Sequence, residues 1–189
     1  FQYNPSIGSW FSNGTYFVIK AGPRGEEYEN RWLDYVDGSL MGGGSWTRWL
    51  RARMRLTAGQ APYYDADRPF VGNKASARTS ITLQPFTHVA LSPTIGWERF
   101  QHVDETLYNG VIARLKLELF ATPTLWNRWI YDQSTFSGRQ TLESLFAWER
   151  APGQAFYLGG RYAVGGLNEN EVVIPSQDPE WALFTKASW

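Results

Sequence analysis

Arginine recurs at every second position from Arg51 to Arg55, and apolar residues fill the alternate positions from Leu50 to Leu56. A period of two is the side-chain period of a β-strand, so this segment predicts a strand with one cationic face and one apolar face. An arginine facing lipid near the bilayer midplane would cost about 2–4 kcal/mol. The three arginines are therefore expected to line a lumen or face water, and the solvent face of an ordinary antiparallel sheet is the alternative.

The last residues of the chain, 179–189, repeat this alternation. Trp181 and Trp189 stand at the two ends of the apolar set, and Lys186 belongs to the interleaved set. A strand of about ten residues with an aromatic at each end of its apolar face is typical of a transmembrane β-strand. The aromatics of such a strand lie at the two membrane interfaces.

Further alternating segments predict more strands between these two. The predicted strands are 10–21, 27–36, 45–57, 75–84, 89–98, 111–119, 125–134, 142–149 and 156–164, and a flexible glycine link is expected at 42–44. Proline-containing tight turns are expected at 84–87, 121–124 and 150–153, and longer polar loops at 59–73, 99–109, 133–140 and 165–178. Short turns on one side and long loops on the other are typical of outer-membrane barrels.

The predicted fold class is therefore all-β, an antiparallel up-and-down transmembrane β-barrel with about ten strands visible. The chain, 1–189, is expected to be a single barrel domain or the C-terminal part of a longer barrel. No run approaches the ~20 apolar residues that a membrane helix needs. If the chain spans a membrane, we expect it to do so with strands.

Aromatic residues are the main anomaly of the composition, with 10 Trp, 10 Tyr and 11 Phe. Their positions near predicted strand ends favour two interfacial girdles. The aromatics expected at the membrane interfaces are Trp46, Trp97, Trp126, Trp148, Phe156, Trp181 and Trp189. The alternative is a water-soluble β-sandwich that binds carbohydrate by stacking on exposed Trp. That alternative predicts that Leu50, Met54, Leu117 and Leu119 are buried against protein.

Charged residues on the strands are expected to face inward and to set the charge of the interior. They are Arg51, Arg53, Arg55, Arg78, Arg114, Lys116, Glu118, Arg128, Glu143, Arg161 and Lys186. Their mixed signs predict weak ion selectivity for an open lumen. The 18 cationic and 18 acidic residues cancel, which disfavours nucleic acid as a partner.

Signals for catalysis or metal binding are weak. The chain has no cysteine, which removes thiol chemistry and thiolate metal sites. Asp65 and Asp67 have the alternate spacing of a calcium loop but lack its glycine and distal glutamate, so they are weak metal candidates. Paired acids such as Glu118 and Glu143 could serve glycoside hydrolysis, but an interior ladder of ion pairs is the favoured interpretation. We expect neither an enzyme nor a cofactor.

The tract from Ala113 to the C-terminus resembles a known family. The matching pieces are the Arg-Leu-x-Leu at 114–117, the Leu-Trp-Asn-Arg-Trp-Ile-Tyr-Asp at 125–132, the Phe-Ala-Trp-Glu-Arg-Ala-Pro-Gly-Gln-Ala-Phe-Tyr-Leu-Gly at 146–159, and the Leu-Phe-Thr-Lys-Ala-Ser-Trp ending. A weaker likeness covers the Gly-Glu-Glu-Tyr at 25–28. These pieces resemble a bacterial family of outer-membrane β-barrels of unknown function, whose full-length members join an N-terminal family 9 carbohydrate-binding module to a C-terminal barrel.

The resemblance implies a location in the bacterial outer membrane, in contact with membrane lipid and lipopolysaccharide. It implies that this chain corresponds to the barrel part, so other strands of a longer chain or partner subunits are expected as neighbours. It supports sugar binding only through the N-terminal module. The function expected from the sequence is a pore, an anchor or a scaffold.

Overall fold

The computed structural model describes residues 1, 3–65, 68–151, 153–167, 173–174 and 179–188. These residues form strands and turns, and none of them lies in a helix that could cross a membrane. The strands are β1 (Ser6–Trp10), β2 (Tyr16–Tyr28), β3 (Arg31–Ser45), β4 (Leu50–Tyr63), β5 (Phe70–Phe86), β6 (Val89–His102), β7 (Glu105–Thr122), β8 (Leu125–Ser134), β9 (Gln140–Ala151), β10 (Gln154–Val164), β11 (Gly166–Leu167), β12 (Val173–Ile174) and β13 (Glu180–Ser188).

Eleven of these strands form one sheet in the order β1 to β10 followed by β13, and β11 pairs with β12 in a small second sheet. The described pairings are antiparallel, which confirms the all-β antiparallel prediction. Among the described residues no pairing closes the sheet, so a barrel is not confirmed. Eleven strands replace the predicted ten because the predicted strand 10–21 contains the turn between β1 and β2. The predicted strand 27–36 was also wrong, because it contains the turn between β2 and β3 at Glu29 and Asn30, which both have positive φ.

The prediction of a strand over 10–21 was wrong. β1 ends at Trp10 and the chain reverses through Asn13 and Gly14 before β2 begins. Gly14 has φ +78°, and the Asn13 side chain accepts a hydrogen bond from the Thr15 amide at 3.0 Å. Asn-Gly is the strongest short hairpin signal, and here it overrides the β-forming residues on both sides.

The glycine run at 42–44 is part of β3 and not a flexible link. Gly43 and Gly44 are buried, and Gly43 lies closer to its neighbours than a larger residue could without displacing them. A Cβ at Gly43 would lie 2.7 Å from the Ala52 carbonyl oxygen and 3.1 Å from Cγ of Arg53. Glycine is needed at Gly43 because the next strand and its arginine occupy that space.

The predicted contrast between tight turns and long loops holds only in part. The long loop expected at 99–109 is a tight turn at Val103 and Asp104, with φ +53° at Val103. β6 and β7 extend into the region because both strands keep pairing as far as this turn. The loops after β4 and β8 are shorter than predicted, at 64–69 and 135–139, and the loop at 165–178 contains β11 and β12. Residue 152 of the turn at 150–153 lies outside the described residues.

The chain divides into two compact units. Unit 1 comprises Phe1–Trp46, Arg51–Thr79 and Gly96–Gly110, and unit 2 comprises Thr47–Leu50, Ser80–Ile95 and Val111–Trp189. In unit 1 the buried centre is aromatic, with Phe100 only 2 % exposed. Phe100 stacks on Tyr108 with ring centroids 5.6 Å apart and contacts Tyr63 at 5.5 Å.

The buried residues of unit 2 are small. Among the described residues of unit 2, the buried apolar side chains are Ala90, Ala147 and Ala163, and the buried polar one is Thr141. Ala147 is fully buried and lies in register between Trp126 on β8 and Tyr157 on β10. Small residues in this position allow the larger side chains of the neighbouring strands to cover the sheet.

Candidate functional site

In unit 2 the strand register gathers apolar side chains on one face, here called the apolar face of unit 2. Residues directly opposite each other on paired strands point to the same side of a sheet, so the pairings assign the faces. The apolar face contains Ala113, Leu115, Leu117 and Leu119 on β7, Asn127, Trp129 and Tyr131 on β8, Leu142, Ser144, Phe146 and Trp148 on β9, Phe156, Leu158, Gly160 and Tyr162 on β10, and Trp181, Leu183, Thr185 and Ala187 on β13.

The apolar face of unit 2 carries aromatics at both ends of its strands and also at mid-strand, where Trp129 lies opposite Leu117 and Ser144. Trp148 and Phe156 face each other next to the turn between β9 and β10. Trp181 lies at the other end of β13, where its ring is 4.5 Å from that of Tyr162. Leucine and smaller residues occupy much of the space between them, and Leu183 is 84 % exposed.

The opposite side is the charged face of unit 2. It contains seven of the residues predicted to face inward, namely Arg114, Lys116, Glu118, Arg128, Glu143, Arg161 and Lys186. Arg114 forms a two-pronged ion pair with Asp132, at 2.6 and 2.9 Å. Lys116 pairs with Glu118 at 2.8 Å. Most of these charges are therefore balanced locally by a neighbour on the same face.

A cavity of about 220 Å³ opens on the charged face of unit 2. Arg128, Arg161 and Glu143 line it, and the Phe184 ring covers Gly159 at its side. Arg161 and Glu143 are an ion pair at 3.5 Å. A cavity with guanidinium groups at its wall can bind water or a small anion.

Trp126 differs from its predicted position at a membrane interface. The register places it on the charged face of unit 2, opposite Phe120 and Ala147. The guanidinium carbon of Arg128 lies 5.9 Å from the Trp126 ring centroid, within cation–π range. The sequence prediction grouped aromatics by their height along the strand, whereas the parity of Trp126 within β8 places it with the charged residues.

Unit 1 has the same division into two faces. Its apolar face contains Ile7 on β1, Phe17, Ile19 and Ala21 on β2, Val36, Gly38, Leu40 and Gly42 on β3, and Ala52, Met54, Leu56 and Ala58 on β4. Its polar face contains Lys20, Arg24 and Glu26 on β2, Asp37, Ser39, Met41, Gly43 and Ser45 on β3, and Arg51, Arg53 and Arg55 on β4. Arg24 and Asp37 form an ion pair at 2.8 Å on this polar face.

The three arginines of β4 form an arginine ladder across from β3. Arg51 lies opposite Ser45, Arg53 opposite Gly43 and Arg55 opposite Met41. Nε of Arg51 donates to Oγ of Ser45 at 3.1 Å, and a guanidinium nitrogen of Arg55 lies 2.9 Å from the sulfur of Met41. Within the described residues, no ion pair involves these three exposed arginines.

The remaining predicted positions lie as follows. Trp97 on β6 donates its indole N–H to Asn109 at 2.8 Å, and Trp46 is an exposed residue directly after β3. Arg78 lies on β5. Trp189 lies outside the described residues.

The weak metal candidates find no support in the part of the chain that is described. Asp65 accepts a hydrogen bond from the Arg68 amide at 3.0 Å, as an aspartate in a turn commonly does. Asp67 lies outside the described residues. The described residues contain no group of three or more metal-binding side chains.

Sequence reasoning missed the acids that balance the charged faces. Asp132 and Asp37 pair with Arg114 and Arg24, and Glu180 pairs with Arg139 at 2.9 Å. The parity of Asp132 within its strand was visible in the sequence, since Asp132 and Arg128 alternate with Trp129 and Tyr131. The pairing itself depends on the register between strands, which the sequence does not give.

No protein-family model matches the chain, and no curated protein matches it either. The resemblance to a family of outer-membrane barrels therefore stays a prediction.

Proposed function

We propose that this chain forms all or part of a β-barrel in the bacterial outer membrane, where it serves as a pore, an anchor or a scaffold. The observation that carries the proposal is the separation of the two faces in each unit. The ion pairs assigned to a face lie on the charged or polar face, and most of the exposed aliphatic side chains lie on the other; Ile112 and Phe184 are exposed on the charged face of unit 2. This separation suits lipid on the apolar face and water on the charged face.

The apolar faces expose more than single scattered residues. In unit 2, Leu115, Leu119, Leu158 and Leu183 are exposed on neighbouring strands together with Trp129. Soluble monomers rarely leave contiguous apolar patches larger than a few hundred Å² exposed. A bilayer would remove such a surface from water at roughly 25 cal/mol per Å² of apolar area. Lipid is therefore the partner that best fits this face.

The soluble β-sandwich alternative expects the aliphatic residues to be buried against protein. Met54 is 42 % exposed and Leu119 is 40 % exposed, while Leu50 and Leu117 are half-buried. The described strands form one large sheet and one two-stranded sheet. These exposures favour the membrane proposal over the sandwich.

Vesicle insertion tests the membrane proposal directly. The protein, purified in detergent, is diluted into vesicles whose acyl chains carry bromine at mid-depth. Trp129 and the other tryptophans of the apolar faces should be quenched, and replacing Trp129 with Phe should reduce the quenching. The proposal would be contradicted by a protein that stays soluble and monomeric without detergent and whose tryptophan fluorescence is not quenched by the brominated lipid.

Conductance separates the three roles. A pore should give discrete steps in a planar bilayer, with weak selectivity if the interior has the mixed charge of the face in unit 2. Insertion without conductance would reject the pore and leave an anchor or scaffold.

A further inference from the structure

In the part of the chain that the structure describes, the three arginines of the ladder have no carboxylate partner. On the charged face of unit 2, Arg114 and Arg161 each contact a carboxylate. On the polar face of unit 1, Arg24 also has a carboxylate partner, Asp37. Arg51, Arg53 and Arg55 lie opposite neutral residues of β3, and no described ion pair balances their charge.

The nearest acids of the polar face of unit 1 are already engaged. Asp37 contacts Arg24, and Glu26 accepts a hydrogen bond from the Tyr64 hydroxyl. Lys20 lies on the same face, opposite Ser39 and one step along the strands from the row of Arg55. Along β2 and β3, the row next to Arg55 therefore adds a fourth cation, Lys20, and the first acid, Asp37, lies one row further on.

The residues of β3 hold the ladder in place. Ser45 and the sulfur of Met41 contact Arg51 and Arg55, and Gly43 leaves the space that Arg53 crosses. Arginines at alternate positions of a strand lie roughly 7 Å apart. Guanidinium groups present paired N–H donors that match phosphate and carboxylate oxygens. The result is a row of regularly spaced guanidinium groups that form no ion pair with a carboxylate of the described chain.

We propose that the arginine ladder binds a linear polyanion, with phosphate groups as the preferred chemistry. This deepens the proposed function, because it names the ligand class of the polar face of unit 1. An anion with several charged groups can engage more than one guanidinium at once and so binds more tightly than a single phosphate.

The probe is tripolyphosphate, titrated calorimetrically into the detergent-solubilised protein at low salt, with inorganic phosphate for comparison. Tripolyphosphate should bind more tightly than phosphate, and raising the salt should weaken it. Arg53→Gln should weaken tripolyphosphate binding by about fivefold, which corresponds to about 1 kcal/mol, the upper end for exposed ionic contacts. Replacing all three arginines by Gln should abolish it.

Two further variants separate the ladder from general charge. Arg150→Gln removes the same charge from an exposed position on β9 and should leave tripolyphosphate binding within twofold of the wild type. Gly43→Ala keeps every charge but displaces Arg53, and should weaken binding as Arg53→Gln does. Circular dichroism identifies any variant that fails to fold, and Arg53→Lys, which keeps the charge and loses the fork, then provides the comparison.

The outcomes also separate this proposal from the membrane proposal. Equal weakening by Arg53→Gln and Arg150→Gln, or no binding by the folded wild type, would overturn the ladder as a binding site even if the protein inserts into vesicles. Specific loss with the ladder variants in a protein that never inserts would support the ladder and refute the membrane function.

Discussion

Leu158→Arg places a charge in the middle of the apolar face of unit 2 and tests what that face contacts. Leu158 lies on β10 between Phe146 and Thr185 on the neighbouring strands, and it is 47 % exposed. About half of its surface is covered by protein, so truncation to Ala should cost about 1 kcal/mol, near half the value for a fully buried leucine. If water covers the other half, Arg should cost no more than Ala, because its stem can replace the lost contacts.

If lipid covers that half, the cost of Leu158→Arg is much larger. An arginine on the lipid face near the bilayer midplane costs about 2–4 kcal/mol, which is roughly a 30- to 1,000-fold change in the folding equilibrium. The matched control is Ile130→Arg, on the charged face between Lys116 and Glu143. There the new guanidinium meets water and a carboxylate, so we expect a change of no more than about 1 kcal/mol.

The assay is equilibrium unfolding in phospholipid vesicles, followed by tryptophan fluorescence against denaturant. The free energies of unfolding of Leu158→Arg, Leu158→Ala and Ile130→Arg are compared with the wild type. The reasoning is refuted if Leu158→Arg is no less stable than Leu158→Ala, or if the two arginine variants lose stability equally. Either result would mean that the leucine does not face hydrocarbon.

Three further outcomes follow from local geometry. Gly22→Ala should detach the N-terminal segment that pairs with β2, because its Cβ would lie 1.9 Å from a backbone carbonyl oxygen of that segment; hydrogen exchange of the β2 amides should rise. Gly159→Ala should cost less, because its Cβ would meet only the tip of the exposed Phe184 ring, which can rotate away, and unfolding midpoints compare the two variants. The hydrogen bond to Glu26 raises the pKa of Tyr64 to about 12, so stability from this bond should be complete below pH 10 and lost as pH rises through 12; the absorbance titration of a Tyr64→Phe variant should lack that late transition.

The period of two was sufficient to predict which residues share a face. Arg51, Arg53 and Arg55 lie on one face of β4 and Met54 and Leu56 on the other, as their spacing requires. The strand 125–134 was predicted with the bounds that the structure has. Alternation is a property of a single strand, so it can be read without knowing the neighbours.

Turns and strand ends depended on information that alternation does not contain. The segment 99–109 is polar and was predicted as a loop, yet β6 and β7 pair through most of it, because backbone hydrogen bonding does not require apolar side chains. Conversely, Asn13 and Gly14 interrupt a run of β-forming residues. Gly14 adopts a positive φ, and an Asn-Gly pair favours the hairpin turn that such a φ permits. Composition indicates polarity, whereas positive-φ residues indicate where the chain reverses.

The balance of charge along the two units depends on register and could not be predicted from the sequence. The charged residues expected to face inward include both signs, and this predicted an interior of mixed charge. The register instead gives Arg114 a carboxylate opposite it and gives Arg53 a glycine. A shift of one residue would move either arginine to the apolar face. The pairing of β3 with β4 therefore places the arginine ladder opposite neutral residues, and a net charge of zero for the chain is compatible with an anion-binding row on one strand.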